Sequence, residues 1–197
     1  MIQQPETLIN IFIVLGESFW IFSAYAQLRK LRKTRDTKGL SAITITLNAA
    51  GNIAWCTYFG LYHLWFPFIA NVMVLTLSIG ILAYILSDRT KLFGRTAVII
   101  VIGMLTSYIL VTSTEQSGWL GVIFNWVAAT PWLVKVVTTK RVTGISGKSL
   151  FFAALAMLLT LTYALFIHSL PLIAGCLQGL LYISIISGYY YRYCLKN

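Results

Sequence analysis

Long apolar stretches alternate with short polar connections along the whole chain. Each stretch contains about 18 to 23 residues, and a helix of that length spans the hydrocarbon core of a bilayer, which is about 30 Å thick. The pattern therefore predicts an all-α integral membrane protein with seven transmembrane helices. The predicted spans are residues 8–27, 40–62, 65–86, 96–113, 119–137, 149–167 and 169–190.

The second half of the chain repeats the first half. Adding 105 to a position in the first half reaches a matching residue in the second half, and after the turn at His63 the offset becomes 104. The matched pairs are Gly16 and Gly121, Gly39 and Gly144, Ser41 and Ser146, Tyr58 and Tyr163, His63 and His168, and Pro67 and Pro171. This match indicates an internal duplication.

The duplication predicts how the spans are organised. Residues 1–87 form one three-helix repeat, and residues 116–197 form the second. Residues 88–115 contain the connecting loop and the fourth span, which has no counterpart in the repeat. This linker helix returns the chain to its starting side, so both repeats enter the membrane in the same orientation, in a 3+1+3 plan.

The positive charge is distributed by side of the membrane. The net charge is +10, with 58% hydrophobic and 10% charged residues, and every Lys and Arg lies in or beside alternate connections. The positive-inside rule then places the N-terminus outside and the C-terminus in the cytoplasm of a bacterial inner membrane or a eukaryotic plasma or organelle membrane. The basic segment 29–38 is expected to contact lipid headgroups, and this charge placement argues against a nucleic-acid binder.

Motifs for metal binding or catalysis are not found in the sequence. The three cysteines, Cys56, Cys176 and Cys194, have no metal-ligand spacing and predict free thiols rather than a disulfide framework. No glycine-rich phosphate loop and no carboxylate pair at one depth is present. The sequence therefore predicts no metal, no cofactor and no enzymatic activity.

Glu17 lies near the middle of the first span, about ten residues from either end. A charged side chain at the bilayer centre costs roughly 2.5–3.5 kcal/mol on insertion scales. We therefore expect Glu17 to be protonated, paired or in a water-filled cavity. Proton coupling, a counter-charge for a cationic solute and a structural hydrogen bond all stay open.

A run of residues at fixed spacing carries a family resemblance. The run consists of Gly51, Trp55, Tyr58 and Gly60, followed by Pro67 and Asn71. With this run and two repeats, the chain resembles the SWEET and PQ-loop transporters and their single-repeat bacterial relatives, the SemiSWEETs. The resemblance implies two three-helix bundles with parallel topology that bind a solute between them.

The resemblance also implies a set of site residues. The indole of Trp55 would stack on a sugar ring and the amide of Asn71 would bond to its hydroxyls. Ordinary packing of Trp55, and a hydrogen bond from Asn71 to Asn48 or Asn52, are the alternatives. In the second repeat Thr160 stands at the position of Trp55. The predicted substrate-binding residues are Trp55, Asn71, Asn52, Asn125, Thr160, Gly175 and Cys176.

Two further expectations concern motion and the first helix's neighbours. The Pro-Gln pair of the family is divided here, since the first repeat keeps only Gln27 and the second only Pro131. Both positions are predicted hinges.

Asn125 and Trp126 are expected to line a cavity opposite the first helix, whereas His63 and His168 are expected to be turn residues without a binding role.

These observations predict a carrier of a small polar solute that works by alternating access, with sugar as the first substrate class. The alternative is a proton-linked carrier of amino acids or other cationic solutes that uses Glu17. A non-transporting receptor of the same fold and a scaffold protein are further alternatives. Two repeats in one chain indicate that one chain suffices, and association into a homo-oligomer stays open.

Overall fold

The computed structural model describes residues 6–86 and 114–195. All regular structure in these residues is helical, as predicted. The helices are α1 (Glu6–Thr34), α2 (Ala42–Leu61), α3 (Trp65–Leu86), α4 (Thr114–Thr139), α5 (Gly147–Phe166) and α6 (Leu170–Tyr190), followed by a π-helical segment (Tyr191–Leu195).

Five of these helices are long and apolar enough to cross a membrane. The exception is α2, which has 20 residues but carries Asn48 and Asn52 among its apolar side chains. The five helices confirm a multi-pass membrane protein. The predicted fourth span, 96–113, lies outside the described residues, so the count of seven helices stays a prediction.

The first helix is longer than its apolar span. The prediction ends this helix at residue 27, but α1 continues through the basic segment to Thr34. Arg and Lys have high helix propensity, and positive charge in the last turn, here Arg32 and Lys33, interacts favourably with the helix dipole. The helix therefore projects beyond the hydrophobic region.

The six helices form a closed ring. Within the described chain each helix contacts two others: α1 contacts α3 and α5, α2 contacts α3 and α4, and α6 contacts α4 and α5. The order around the ring is α1, α3, α2, α4, α6, α5. Exchanging α1 with α4, α2 with α5 and α3 with α6 leaves this order unchanged, which is the two-fold pseudo-symmetry that a duplication produces.

The turns repeat as well as the helices. Arg35 and Lys140 follow the first helix of each half with φ angles of 51° and 53°, and His63 and His168 follow the second with 57° and 54°. A left-handed residue commonly ends a helix, and His is enriched in that conformation among residues with a side chain. The two exposed histidines thus have a role in the turns.

Serine side chains begin the second helix of each half. Ser41 Oγ accepts a hydrogen bond from the Thr44 N–H at 3.2 Å and is the N-cap of α2. At the matched position Ser146 Oγ accepts from the Ser149 N–H at 3.3 Å. Each cap satisfies one backbone donor that has no partner within its helix.

Candidate functional site

Two apolar clusters occupy opposite ends of the ring. We define the loop end as the end that carries residues 35–41 and 140–146, and the turn end as the end with His63 and His168. The loop-end cluster contains Leu28, Leu31, Leu40, Ile81, Val136, Val142, Ile145, Leu150 and Ile186. The turn-end cluster contains Ile13, Trp55, Tyr58, Phe59, Val122, Tyr163, Ala164 and Leu172.

A cavity of about 310 Å³ lies within the ring, and all six helices contribute to its wall. This volume is at the lower end of the range found for small-molecule sites. Nine of the residues singled out from the sequence line it. They are Glu17, Gln27, Asn52, Trp55, Asn71, Asn125, Thr160, Gly175 and Cys176.

The predicted hinge Pro131 and the predicted lining residue Trp126 do not line the cavity. Pro131 lies inside α4, directly before Trp132, which does line it. Trp126 is 53% exposed on the outer surface of the ring, so the expectation that it lines the cavity is wrong. The adjacent Asn125 lines the cavity because one residue turns the helix by about 100°.

Glu17 and Asn71 form a buried pair on the cavity wall. Asn71 Nδ2 donates to Glu17 Oε2 at 3.1 Å and to the Pro67 carbonyl at 3.0 Å. Their exposed fractions are 3% and 8%. The alternative partners predicted for Asn71, Asn48 and Asn52, are therefore not used, and the contact joins α1 to α3 within the first half.

Among the described residues that line this cavity, Glu17 is the one with a charge-bearing side chain. The neutral Asn71 amide satisfies one of its oxygens, but it does not neutralise a negative charge. A buried carboxylate without a cation is costly. The site therefore suits a proton on Glu17, a bound cation or contact with water in the cavity.

Trp55 both packs and lines the cavity. Its ring makes an edge-on contact with Tyr58, with centroids 5.5 Å apart, and it is 8% exposed. Two glycines of the second half make room for it: a Cβ at Gly121 would lie 2.7 Å from Trp55 Cε2, and one at Gly175 would lie 3.4 Å from Cζ2. Trp55 therefore packs against its neighbours and lines the cavity at the same time, so the two interpretations do not exclude each other.

The matched contact in the other half is smaller. A Cβ at Gly16 would lie 2.6 Å from Thr160 Oγ1, and these residues correspond to Gly121 and Trp55 under the repeat. The backbone of the two halves is therefore alike here while the side chains differ in volume. One side of the cavity is aromatic, and on the other side the Thr160 hydroxyl packs against Gly16.

Sequence reasoning missed several polar residues of the cavity wall. One of them is Gln178, and it is 5% exposed. Its match in the first half is Val74, so the repeat gave no signal for it. A glutamine within an apolar span was the signal available, since a buried amide needs a partner. The other missed residues are Ser23, Thr44, Ser78, Ser149 and Tyr182.

At the loop end, each half holds the loop of the other half through its first helix. Gln27 Nε2 donates to the Gly144 carbonyl at 2.9 Å, and the Ser146 N–H donates to Gln27 Oε1 at 2.9 Å. Trp132 Nε1 donates to the Gly39 carbonyl at 2.9 Å. Gln27 corresponds to Trp132 and Gly39 to Gly144, so different side chains make equivalent contacts.

Two lysines extend this pattern. Lys30 Nζ donates to the Ile145 carbonyl at 2.6 Å, and Lys135 Nζ donates to the Leu40 carbonyl. These residues also correspond under the offset of 105. We call the four side chains that bind the opposite loop the loop-end clamp, namely Gln27, Lys30, Trp132 and Lys135. The predicted hinge Gln27 thus forms hydrogen bonds through both polar atoms of its amide, Nε2 and Oε1.

The two loops contact each other directly. The Gly144 N–H donates to the Lys38 carbonyl at 2.9 Å. A side chain at Gly39 would overlap the Arg141 carbonyl, and one at Gly144 would overlap the Lys38 carbonyl. Gly39 also has a φ of 85°, in the left-handed region that favours glycine. Both glycines are therefore required for this approach.

Asp36 adds a polar contact between the loops. Thr143 Oγ1 donates to Asp36 Oδ2 at 2.7 Å, and the Lys38 N–H donates to Oδ1 at 2.8 Å. Partial burial raises the pKa of Asp36, but these hydrogen bonds and the positive charges of Lys38 and Lys30 outweigh it. The pKa of Asp36 therefore lies below its ordinary value.

The turn end has a polar contact of its own. The Tyr58 and Ser169 hydroxyls lie 2.7 Å apart and both side chains are buried. This bond joins α2 of the first half to the start of α6 in the second half. The cavity thus lies between contacts that join the halves at both ends.

Comparison with known proteins identifies part of this architecture. Residues 8–68 match the family model described as PQ loop repeat. The matched segment contains most of α1, all of α2 and the start of α3, including Glu17 and Trp55. Over these residues the predicted resemblance to PQ-loop proteins is thereby confirmed. The searches of curated proteins and of solved structures returned no match.

Proposed function

We propose that this PQ loop repeat protein is a membrane carrier that moves a small polar solute, with sugar as the first substrate class, by alternating access. The central observation is the cavity of about 310 Å³, lined by both pseudo-symmetric halves and placed between two sets of contacts that join them. The membrane orientation follows the positive-inside rule, with the N-terminus outside and the loop end in the cytoplasm.

The contacts between the halves support this mechanism. Direct helix contacts across the halves are limited to α1 with α5 and α2 with α4 in the described chain. At the loop end the clamp and the loops join the halves, and at the turn end the Tyr58–Ser169 bond and the turn-end cluster do so. Breaking one set while keeping the other opens the cavity to one side at a time.

The chemistry of the first half suits a sugar. A pyranose has apolar C–H faces and a rim of hydroxyl groups, and an aromatic ring and hydrogen-bonding groups complement these two surfaces. Trp55 provides the ring. Glu17 provides a second carboxyl oxygen beyond the one that accepts from Asn71. In its protonated form this carboxyl group both donates and accepts hydrogen bonds.

Uptake into proteoliposomes tests the proposal. Labelled glucose, sucrose, arginine and lysine are supplied with and without an imposed pH gradient to the wild type and to Trp55→Ala. The matched control is Trp126→Ala, which removes a tryptophan from the outer surface. We expect sugar uptake that is independent of the gradient, reduced about tenfold or more in Trp55→Ala and unchanged in Trp126→Ala. Equal losses in both variants would contradict a site at Trp55.

A proton-linked carrier of a cationic solute is the second candidate, and the burial of Glu17 without a cation among the cavity residues favours it. Its signature is uptake of arginine or lysine that is driven by the pH gradient and lost in Glu17→Gln. A receptor for a charged peptide is less favoured, because Glu17 is the one charged residue in the described part of the cavity wall.

A further inference from the structure

We infer that Gln178 is a specificity-determining residue, whose carboxamide binds the solute together with the Thr160 hydroxyl from the second half of the chain. This inference rests on the proposed carrier function and deepens it. It names a polar contact that the family motif around Trp55 and Asn71 does not contain. It also narrows the solute to one with hydrogen-bonding groups on two opposite edges.

The Gln178 carboxamide oxygen and the Thr160 hydroxyl lack hydrogen-bond partners among the described residues. In the parts of the chain that the structure describes, three fully buried side-chain atoms have no hydrogen-bond partner: Thr44 Oγ1, Thr160 Oγ1 and Gln178 Oε1. All three residues line the same cavity and are at most 5% exposed. A buried polar atom without a partner costs free energy, and such atoms are rare in folded proteins.

The surroundings of Gln178 leave its carbonyl for a ligand. Next to it on α6, Gly179 is covered by Met157, whose Sδ would lie 2.8 Å from a Cβ at that position. A thioether sulfur donates no hydrogen bond, so Met157 cannot satisfy Gln178 Oε1. A solute hydroxyl can do so once the carboxamide turns towards the cavity, because less than 1 Å² of Gln178 Oε1 is exposed in this structure.

The positions of the two amides define the geometry of the site. Asn71 is on α3 and Gln178 on α6, and these helices occupy opposite places in the ring. Gln178 corresponds to Val74, three residues beyond Asn71, so the amides differ in depth by about 4.5 Å. The polar groups of the two halves therefore face a solute from opposite sides at different depths.

This arrangement selects for a solute of a particular kind. Hydroxyl groups on one edge would bond to Glu17 near Asn71, and hydroxyls on the other edge would bond to Gln178 and Thr160. Polyols and sugars carry hydrogen-bonding groups on all edges. A solute with one polar end and one apolar end would leave the Gln178 carbonyl without a partner, which favours the polyhydroxylated solute.

The test compares Gln178→Met with the wild type in binding and in stability. The substitution keeps the side-chain length and removes the polar atoms. We expect the KM for glucose uptake to rise about three- to tenfold, the effect of one hydrogen bond, with little change in kcat. Gln178→Asn, a shorter amide, should recover part of the loss. Leu181→Met, which places a methionine on the exposed side of α6, is the control.

A series of deoxyglucoses identifies the hydroxyl that Gln178 binds. The wild type should transport one of the 2-, 3-, 4- and 6-deoxy sugars with a KM raised about three- to tenfold over glucose. Gln178→Met should not distinguish that sugar from glucose. Loss of the same discrimination in Leu181→Met would contradict the assignment.

Thermal unfolding without solute separates a ligand-binding role from a structural one. Because Gln178 Oε1 has no partner among the described residues, Gln178→Met should unfold at the same temperature as the wild type or higher, and glucose should stabilise it less. If Gln178→Met melts at a lower temperature without solute, fails to fold or keeps the wild-type KM, the inference about Gln178 is overturned. The proposed carrier function is not affected by these results. Wild-type protein that transports none of the solutes would remove the proposed function and this inference together.

Discussion

At the scale of single residues, the hydrogen bond between Asn71 and Glu17 holds an ionisable carboxyl group on the cavity wall. The Asn71 amide donates to one oxygen of Glu17 and to the Pro67 carbonyl in its own helix. It therefore fixes the orientation of the carboxyl group relative to Trp55, which is another member of the cavity wall. Family spacing alone predicted the positions of Trp55 and Asn71, but it did not predict that Asn71 binds Glu17.

Replacing Asn71 with leucine should destabilise the fold. The substitution keeps a similar volume but leaves Glu17 Oε2 without its donor, and we expect a loss of about 1–3 kcal/mol in the free energy of unfolding. The loss should be smaller in a Glu17→Met background, because that acceptor is then absent. Denaturant unfolding of the four proteins in detergent measures this coupling. Equal losses in both backgrounds would show that the pair contributes nothing.

The loop contact of Asp36 predicts a dependence of stability on pH. The pKa of Asp36 is lower in the fold than its ordinary value of 3.8, so its contribution to stability is present above pH 3.8. The contribution is lost as the pH falls from 3.8 through the lower folded pKa. We expect the melting temperature of the wild type to decrease more than that of Asp36→Asn over this interval. Parallel curves for the two proteins would exclude the contribution.

At the scale of elements, the repeat determines which backbone features recur, and side chains then differ between matched positions. The N-caps at Ser41 and Ser146 and the clamp contacts of Gln27 and Trp132 follow the offset of 105. Gln27 and Trp132 each donate to a backbone carbonyl, so an amide and an indole N–H make equivalent bonds there, while Gln27 alone also accepts from the Ser146 N–H. The two halves can therefore keep the same backbone geometry although few of their matched residues are identical.

The loop contact can be tested through its glycines. Gly144→Ala places a Cβ where the Lys38 and Asp36 carbonyls lie, so the loops must separate. We expect a loss of about 1–3 kcal/mol in the free energy of unfolding. The matched control is Gly188→Ala in α6, where a Cβ meets nothing within 4 Å and higher helix propensity should stabilise slightly. Equal effects of the two substitutions would contradict a close loop contact.

At the scale of the whole molecule, local signals in the sequence predicted the elements, and long-range contacts determined the site. Hydrophobic stretches located the described spans, because this pattern depends on neighbouring residues. The predicted end of α1 was wrong, because the apolar pattern stops at residue 27 while the helix continues into the basic segment as far as Thr34. Gln178 and the clamp were missed because their role depends on which helices meet in the ring.

In the proposed carrier one solute-binding cavity faces the two sides of the membrane in turn, and solute counterflow is the direct test of this exchange. Proteoliposomes are loaded with a high concentration of unlabelled glucose and diluted into a trace of labelled glucose. An alternating-access carrier should accumulate label transiently above its equilibrium level, because each outward trip with unlabelled sugar returns a site for labelled sugar. Label that only approaches equilibrium, without this overshoot, would contradict the account.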